Sequence, residues 1–250
     1  RNLNSGAEPE LFATSNAAFT NGREIAVSGN RLIVAQDASD GNGQRNRLIT
    51  YDISNNSIAL MNSYDVTFNL WGIHLTGNTL YAVIDNSNQL AIFENFFDNT
   101  GTSVTPEEVV SVDGLVRTHG ITYVAARDMM LLTDVGAAAS DSDGAILVIR
   151  NFTTAANDNV VSANEQIRIA GNGTFLGNPV DLAYSEANNT IYVAERANAG
   201  GRVLGFVLPV VGSTGGAIAP VYNAECPGAS AVTVGNNEDE VGNENDDDGD

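Results

Sequence analysis

Acidic side chains recur where apolar runs of this chain end. Four aliphatic and aromatic runs stop at a carboxylate, and these are Asp37, Asp85, Asp134 and Glu195. The first two intervals between them are 48 and 49 residues, and the third is 61. Carboxylates gathered at one place offer oxygen ligands for a hard cation such as Ca²⁺, or groups for acid–base chemistry. The structural alternative is that they cap turns or pair with arginines such as Arg47 and Arg196.

A second set of candidate residues precedes another apolar strand in each repeat. Arg23, Trp71 and His119 occupy equivalent positions, two residues before an aliphatic residue. An indole stacks on sugars and on cations, and an imidazole serves in acid–base catalysis. We therefore predict these three side chains as ligand-binding residues at one mouth of the fold. The alternative is that they only fill a narrowing channel.

The neighbouring position carries a carboxylate in the first and fourth repeats. We predict Glu24 and Asp181 as metal ligands and, if the chain is an enzyme, as catalytic residues together with His119. The sequence contains only two histidines, His74 and His119, which excludes a zinc site with three histidines. No Gly-x-Ser-x-Gly nucleophile motif occurs.

The last thirteen residues, 238–250, hold eight carboxylates. Within them Glu244, Asp246 and Asp248 alternate before Gly249, which is similar to the opening of a calcium-binding loop. We predict these three acids as further Ca²⁺ ligands. The alternative is a solvated acidic tail or linker.

Charge and composition restrict the function further. The chain has 31 acids and 11 bases, all of them arginine, and a net charge of −20. This charge excludes a nucleic-acid partner and docking on anionic lipid, because both need basic patches. No run of about 18 apolar residues is present, so we expect no membrane insertion. Cys226 is the only cysteine, so no internal disulfide can form.

Short strands must position these candidate residues. Four repeats of apolar runs separated by Gly- and Asn-rich turns are typical of β-propeller blades. We therefore predict an all-β fold, a β-propeller of four-stranded antiparallel blades. The predicted strands are 24–29, 31–37, 47–53 and 57–67 in blade one; 71–76, 79–85, 89–94 and 107–113 in blade two; 118–124, 129–135, 144–151 and 163–170 in blade three; and 179–184, 190–196, 202–208 and about 217–222 in blade four.

A fifth repeat begins at Gly228, but acidic residues stand where its second strand should follow. We expect the β-propeller to cover 1–237, and 238–250 to form the acidic tail or linker. A completed ring would hold five to seven blades. Either the last blade is incomplete, or the chain is the front part of a longer protein.

The fourth repeat resembles the repeat of NHL, YncE-like and TolB-like β-propellers. The resemblance rests on 178–184, 189–195 and 201–206, and 119–134 is a looser copy. Gluconolactonase-type β-propeller enzymes are similar in carrying a Glu on the first inner strand, which matches Glu24, and a channel Asp, which matches Asp181. Calcium-dependent propeller phytases also have acid-lined channels, but their substrate needs basic residues that are scarce here.

These observations lead to a ranked expectation of function. We expect a secreted, extracellular binding or scaffold module within a larger microbial cell-surface, filament or matrix protein, stabilised by Ca²⁺. Its partners would be other copies of itself, or surface proteins and glycans. The alternative is a calcium-dependent hydrolase or lactonase of the gluconolactonase-like type. A third hypothesis is self-assembly, in which a strand of a neighbouring molecule completes the unfinished blade.

Overall fold

Alternating apolar residues and tight polar turns fold the chain into consecutive antiparallel hairpins. The computed structural model describes residues 11, 13–16, 18–137 and 139–235. The turns at Gly29, Gly77 and Asn189 have φ values of +58°, +59° and +50°. This left-handed region favours glycine and asparagine, so the turn positions predicted from the sequence are confirmed.

The hairpins form four sheets, each built on four antiparallel strands that we call a blade, and two of the sheets gain a fifth, parallel strand from the following blade. Blade one contains β1 (Gly22–Ser28), β2 (Arg31–Gln36), β3 (Asn46–Asp52) and β4 (Ala59–Val66). Blade two contains β5 (Leu70–Thr76), β6 (Thr79–Ile84), β7 (Gln89–Phe93) and β8 (Glu108–Val112).

Blades three and four carry additional short elements in their connections. Blade three begins with β9 (Ile121–Val124), β10 (Met129–Asp134) and β11 (Ala145–Arg150). The connection that follows holds α1 (Phe152–Ala155) and β12 (Val160–Val161), which pairs with blade two, and β13 (Gln166–Ala170) completes blade three. Blade four begins with β14 (Pro179–Ser185), β15 (Thr190–Glu195) and β16 (Arg202–Val207). The connection that follows holds β17 (Gly215–Gly216), which pairs with blade three, and β18 (Tyr222–Glu225) completes blade four. Within the described residues, no helix has the length and apolar character needed to cross a membrane.

This arrangement is a four-bladed β-propeller, and the predicted fold class is confirmed. The innermost strands β1, β5, β9 and β14 surround a central cavity. The prediction for the last strand of blade four, 217–222, was wrong, because that strand is Tyr222–Glu225. The chain before it first reaches blade three, where Gly215–Gly216 pairs with Arg168–Ile169.

Packing between neighbouring blades supplies the core. Leu48 of blade one packs in one cluster with Phe93 of blade two, and a second cluster joins blades two and three. A third cluster joins Leu131 of blade three to Phe206 of blade four. Each fully buried side chain of this size contributes about 1.5–3 kcal/mol. Among the described residues, no such cluster joins blade four to blade one.

Glycines let the inner strands approach closely. A Cβ atom at Gly72 would lie 2.0 Å from the carbonyl oxygen of His119, and one at Gly120 would lie 2.8 Å from Cα of Asp181. Blades two and three therefore pack tightly against the next blade at these positions. The equivalent residues of blades one and four are Glu24 and Asp181.

Candidate functional site

Irregular pairing re-aims side chains at the start of the inner strands. The register of β1 shifts between Gly22 and Glu24, and that of β5 shifts between Leu70 and Ile73. Such a bulge adds a residue to one strand and twists it locally. Arg23 and Trp71 lie inside these bulges, and this backbone feature brings their side chains together.

Arg23, Trp71 and His119 form one stack, which we call the central stack. The Trp71 and His119 rings are parallel within 4°, with centroids 3.7 Å apart. The guanidinium carbon of Arg23 lies 4.3 Å from the Trp71 ring centroid. The three residues come from consecutive blades. Because the imidazole and the guanidinium both contact the Trp71 ring, the indole lies between these two groups. The structure thus brings together the three predicted ligand-binding residues, in a geometry that favours the packing alternative.

His119 is only 4% exposed, and neither ring nitrogen makes a hydrogen bond with a described residue. Its Nε2 lies 3.5 Å from Oδ1 of Asp85, which is too long for a good hydrogen bond. Burial lowers the pKa of His119, and the nearby Asp85 offsets this only in part. The ring is therefore neutral at pH 7.

Asp85 is held mainly by an arginine that the sequence analysis did not single out. Arg117 donates two hydrogen bonds to its carboxylate, at 2.8 and 3.1 Å. Burial pushes the pKa of Asp85 upward, but contact with His119 and Arg117 outweighs it and holds that pKa well below its usual range. Arg117 also lies over the Trp71 ring, at 5.6 Å from the centroid, and so ties the acid to the central stack.

The other strand-end acids are likewise bonded within the scaffold. Asp37 accepts two hydrogen bonds from Arg23, and buried Asp134 accepts one of 2.7 Å from Arg168 together with backbone N–H groups. Glu195 is fully buried and accepts from four backbone N–H groups at 2.8–2.9 Å: those of Gly177, Asn178, Ala197 and Asn198. These contacts match the structural alternative. The two arginines named from the sequence were wrong: Arg47 pairs with Asp65, and Arg196 forms no ion pair with a described residue.

The central cavity has a volume of about 610 Å³. Its walls are formed by the four inner strands and by residues 231–234, which follow blade four. Aliphatic side chains such as Ile25 and Leu182 dominate the walls, and the acidic and imidazole side chains in the lining are Glu24, His74 and Asp181. The cavity therefore combines an apolar surface with two carboxylates.

Asp181 is the most perturbed of these groups. Its Oδ1 accepts a hydrogen bond from the N–H of Leu182, and its Oδ2 accepts one from the N–H of Val232, both at 2.7 Å. Burial, and secondly the charge of Glu24, raise the pKa of Asp181 to about 7. Burial also raises the pKa of Glu24. The pair therefore resists carrying two full negative charges near neutral pH.

His74 adds no positive charge to balance them. Burial lowers the pKa of His74 to about 4, so its ring is neutral at pH 7. Its Nε2 lies 3.1 Å from the hydroxyl oxygen of Thr76.

The cavity supplies only part of a calcium site. Ca²⁺ takes six to eight oxygen ligands, whereas Glu24 and Asp181 provide two carboxylates, and both oxygens of Asp181 already accept an N–H. Over the residues that the structure describes, no three His, Cys, Asp or Glu side chains converge as a metal site. The other predicted metal ligands, Glu244, Asp246 and Asp248, lie outside the described residues.

Both cavity carboxylates, Glu24 and Asp181, were predicted from the sequence, but other parts of the central stack and of the cavity were not. Arg117, His74 and the cavity wall at 231–234 were not predicted as parts of a site. A signal was present for one of them: Arg117 lies two residues before His119, within the run that leads into an inner strand. Nothing local marks residues 231–234 as a cavity wall.

Comparisons with known proteins agree with this geometry at the level of fold. No family model and no curated protein matches the sequence. A nidogen–laminin complex matches with a TM-score of 0.55, covering 85% of this chain and 68% of that one. Kuenenia stuttgartiensis hydrazine synthase (TM-score 0.53; 85% and 51%) and a protein from Lactobacillus plantarum (0.51; 84% and 57%) also match, each at 13% identity.

The chain shares the fold of these proteins. It spans about half to two thirds of their length, and 13% identity shows the fold alone. The resemblance to NHL, YncE-like and TolB-like proteins is therefore supported as a β-propeller, and no sequence family narrows it further.

Proposed function

We propose that this chain is a binding module whose ligand site is the central cavity. One observation carries the proposal. Each recurring strand-end acid is bonded inside the scaffold, whereas Glu24 and Asp181 face a cavity of about 610 Å³. Pockets that combine apolar walls with a few convergent polar groups are the usual form of a ligand site.

A cation is the ligand that this cavity suits. The negative charge of Glu24 disfavours the charged form of Asp181 in the same cavity, and a bound cation relieves that repulsion. Ca²⁺, with water completing its ligand set, is the cation that we propose. It would stabilise the module as well as occupy its site.

The test is the melting temperature in increasing CaCl₂, with ionic strength held constant by NaCl. A ligand that binds only the folded state stabilises it by about 2.7 kcal/mol at one hundred times its Kd. We expect a rise that Glu24→Gln abolishes and that Asp113→Asn, a change at an exposed acid, leaves intact. An unchanged melting temperature at millimolar Ca²⁺ contradicts the proposal.

We further propose that the module belongs to a secreted microbial surface, filament or matrix protein and binds surface proteins or glycans. The acidic, lysine-free composition suits a saline exterior, because salt screens like-charge repulsion. One of the structures that share the fold is a nidogen–laminin complex, so this fold occurs in a protein–protein complex. Protease treatment of intact source cells tests this, since a surface protein is degraded while cytoplasmic markers survive.

A second candidate function is a hydrolase or lactonase that uses Glu24 and Asp181. The observation in its favour is the pKa of Asp181, about 7, which suits a general acid–base group. His119 does not line the cavity, so we leave it out of this candidate site. Release of acid from aldonolactones, measured with a pH indicator and Ca²⁺ present, is the assay. A rate no faster than buffer, or one equal in Asp181→Asn, removes this candidate.

A further inference from the structure

A second cavity, of about 330 Å³, lies on blade three between α1 and the strands β11 and β13. We call it the side cavity. Residues 212–213, from the connection that follows β16, close its remaining wall. Buried Val148 and Ile167 give it an apolar floor. Its lining shares no residue with that of the central cavity, so a ligand in one does not contact the other.

Arg150 is the one arginine in the lining of the side cavity, and it is half-buried. Its Nη2 donates to the carbonyl of Pro209 at 2.7 Å, whereas its buried Nε makes no hydrogen bond with a described residue. Arg23, Arg117 and Arg168 each pair with a strand-end acid, but Arg150 pairs with no acid in the described part of the chain. A guanidinium that loses hydration without gaining a partner is destabilising. A bound anion would supply that partner.

The charges around the side cavity favour a ligand with one negative charge. Arg150 contributes one positive charge, and Glu165 in the same lining contributes a negative one. Oε2 of Glu165 already accepts a hydrogen bond of 2.9 Å from the N–H of Ser162. A phosphate dianion needs more cations than one arginine, whereas a single carboxylate matches the donors of a guanidinium.

The uncharged polar groups of the lining suit a ligand that carries hydroxyls. The side chains of Asn151 and Thr154 line the cavity and form no hydrogen bond with another described side chain or backbone group. Asn164 adds an amide, and Ser213 adds a hydroxyl. Amides and hydroxyls donate to and accept from the hydroxyls of a ligand. The volume lies at the small end of the range for ligand pockets, which suits one sugar ring.

We propose that the side cavity binds a uronic acid, a sugar ring with one carboxylate. The carboxylate accepts hydrogen bonds from Arg150, and the ring hydroxyls contact Asn151 and Thr154. The ring lies over the apolar floor at Val148 and Ile167. This proposal depends neither on the cation of the central cavity nor on the location proposed above.

NMR titration of the full chain with glucuronate, in EDTA and at constant ionic strength, tests the proposal. The methyl resonances of Val148 and Ile167 report on the side cavity. Glucose has a similar ring without the carboxylate, and acetate has the carboxylate without the ring. We expect glucuronate to bind about tenfold or more tightly than either, because only glucuronate uses both sets of groups. Absence of a shift with glucuronate, or equal affinity for glucose or acetate, overturns the proposal.

Two variants locate the binding. Arg150→Gln should weaken glucuronate binding by about tenfold or more, because it removes the charged donor. Arg202→Gln is the matched control, since Arg202 is also half-buried, forms no ion pair with a described acid and lies outside the side cavity. If Arg150→Gln fails to fold, Thr154→Trp fills the cavity from an exposed position and should abolish binding. Unchanged affinity in a folded Arg150→Gln or in Thr154→Trp, or an equal loss in Arg202→Gln, overturns the proposal.

Discussion

At the residue scale, two kinds of carboxylate differ in the groups that stabilise their negative charge. Glu195 is fully buried, yet four backbone N–H groups surround it. Asp181 accepts two N–H groups, but it lines the cavity together with Glu24, and no described residue pairs with it as a cation. Hydrogen bonds to the charged form stabilise it, whereas burial beside a like charge destabilises it. Glu195 therefore stabilises the scaffold, and Asp181 is available for a ligand.

Removing the carboxylate of Glu195 should destabilise the fold strongly. Glu195→Ala leaves buried N–H groups without acceptors, and each such group costs about 1–3 kcal/mol. We expect a loss of about 3–5 kcal/mol in urea unfolding. Glu108→Gln, at an exposed strand position, should change stability by less than about 0.5 kcal/mol. A small effect of Glu195→Ala would show that its hydrogen bonds are not needed for stability.

Asp181 should make stability depend on pH. Its folded-state pKa is raised to about 7 from an ordinary value of 3.8, so the folded chain holds this proton more tightly than the unfolded chain does. That stabilisation is complete below pH 4 and is lost as the pH rises to about 7. Asp181→Asn should therefore flatten the melting temperature between pH 4 and 7. At pH 8 it should add about 1–2 kcal/mol of stability in the absence of Ca²⁺.

The control for this experiment is Asp113→Asn, which changes an exposed acid outside the cavity. Its pH profile should follow that of the unaltered chain. A profile for Asp181→Asn that is as steep as the unaltered one would assign the pH dependence to other groups.

At the element scale, backbone geometry decides which side chains meet. Bulges in β1 and β5 put Arg23 and Trp71 into the central stack, and Gly72 lets β5 approach the backbone of His119. At the periphery, the connections between the third and fourth strands of blades two, three and four also bring residues of separate blades together. These connections are 94–107, 151–165 and 208–221. Each forms few hydrogen bonds but fixes one blade against its neighbour.

A side chain at Gly215 should detach β17 (Gly215–Gly216), which lies in the connection between the third and fourth strands of blade four, from β13 of blade three. A Cβ atom there would lie 2.1 Å from the carbonyl oxygen of Arg168, in a backbone conformation with φ +75°. Gly212 has a similar φ of +84° but no atom within 4 Å of its Cβ position. Both Ala substitutions carry backbone strain of about 1 kcal/mol, and only Gly215→Ala adds the clash. Amide exchange at β13 should therefore accelerate in Gly215→Ala and stay slow in Gly212→Ala.

At the scale of the whole molecule, the stability of the fold depends on the net charge and on how the ring of blades closes. The net charge of −20 results from 31 acids and eleven arginines, and three of these arginines form ion pairs with strand-end acids. The remaining acids repel one another across the surface. Blades one to three pack face to face with their successors. Among the described residues, blades four and one share no such cluster, and both instead line the central cavity together with 231–234.

Salt should stabilise this molecule as a whole. The Debye length falls from about 10 Å at 0.1 M to about 3 Å at 1 M, which suppresses repulsion between surface carboxylates. We expect the melting temperature to rise between 0.05 and 1 M NaCl, and to rise equally in KCl, because screening depends on ionic strength rather than on the ion. A falling melting temperature would show that attractive ion pairs dominate the surface.

The sequence by itself determined the repeat, the positions of most strands and the turns between them. Periodic apolar residues fix a strand and its faces locally, and Gly29, Gly77 and Asn189 fix the hairpins for the same local reason. It also placed Glu24 and Asp181 at equivalent positions, which allowed both to be named as candidates. Strand 217–222 was misplaced, because its neighbour β17 pairs with a different blade.

Only the tertiary structure decided which groups meet. Arg117 and Arg168, rather than Arg47, hold the strand-end acids, and the Trp71 ring is covered by its neighbours from two other blades. The partners in each case come from separate repeats. Local patterns specify the direction of a side chain relative to its own strand, but the angle and distance between blades specify what it touches.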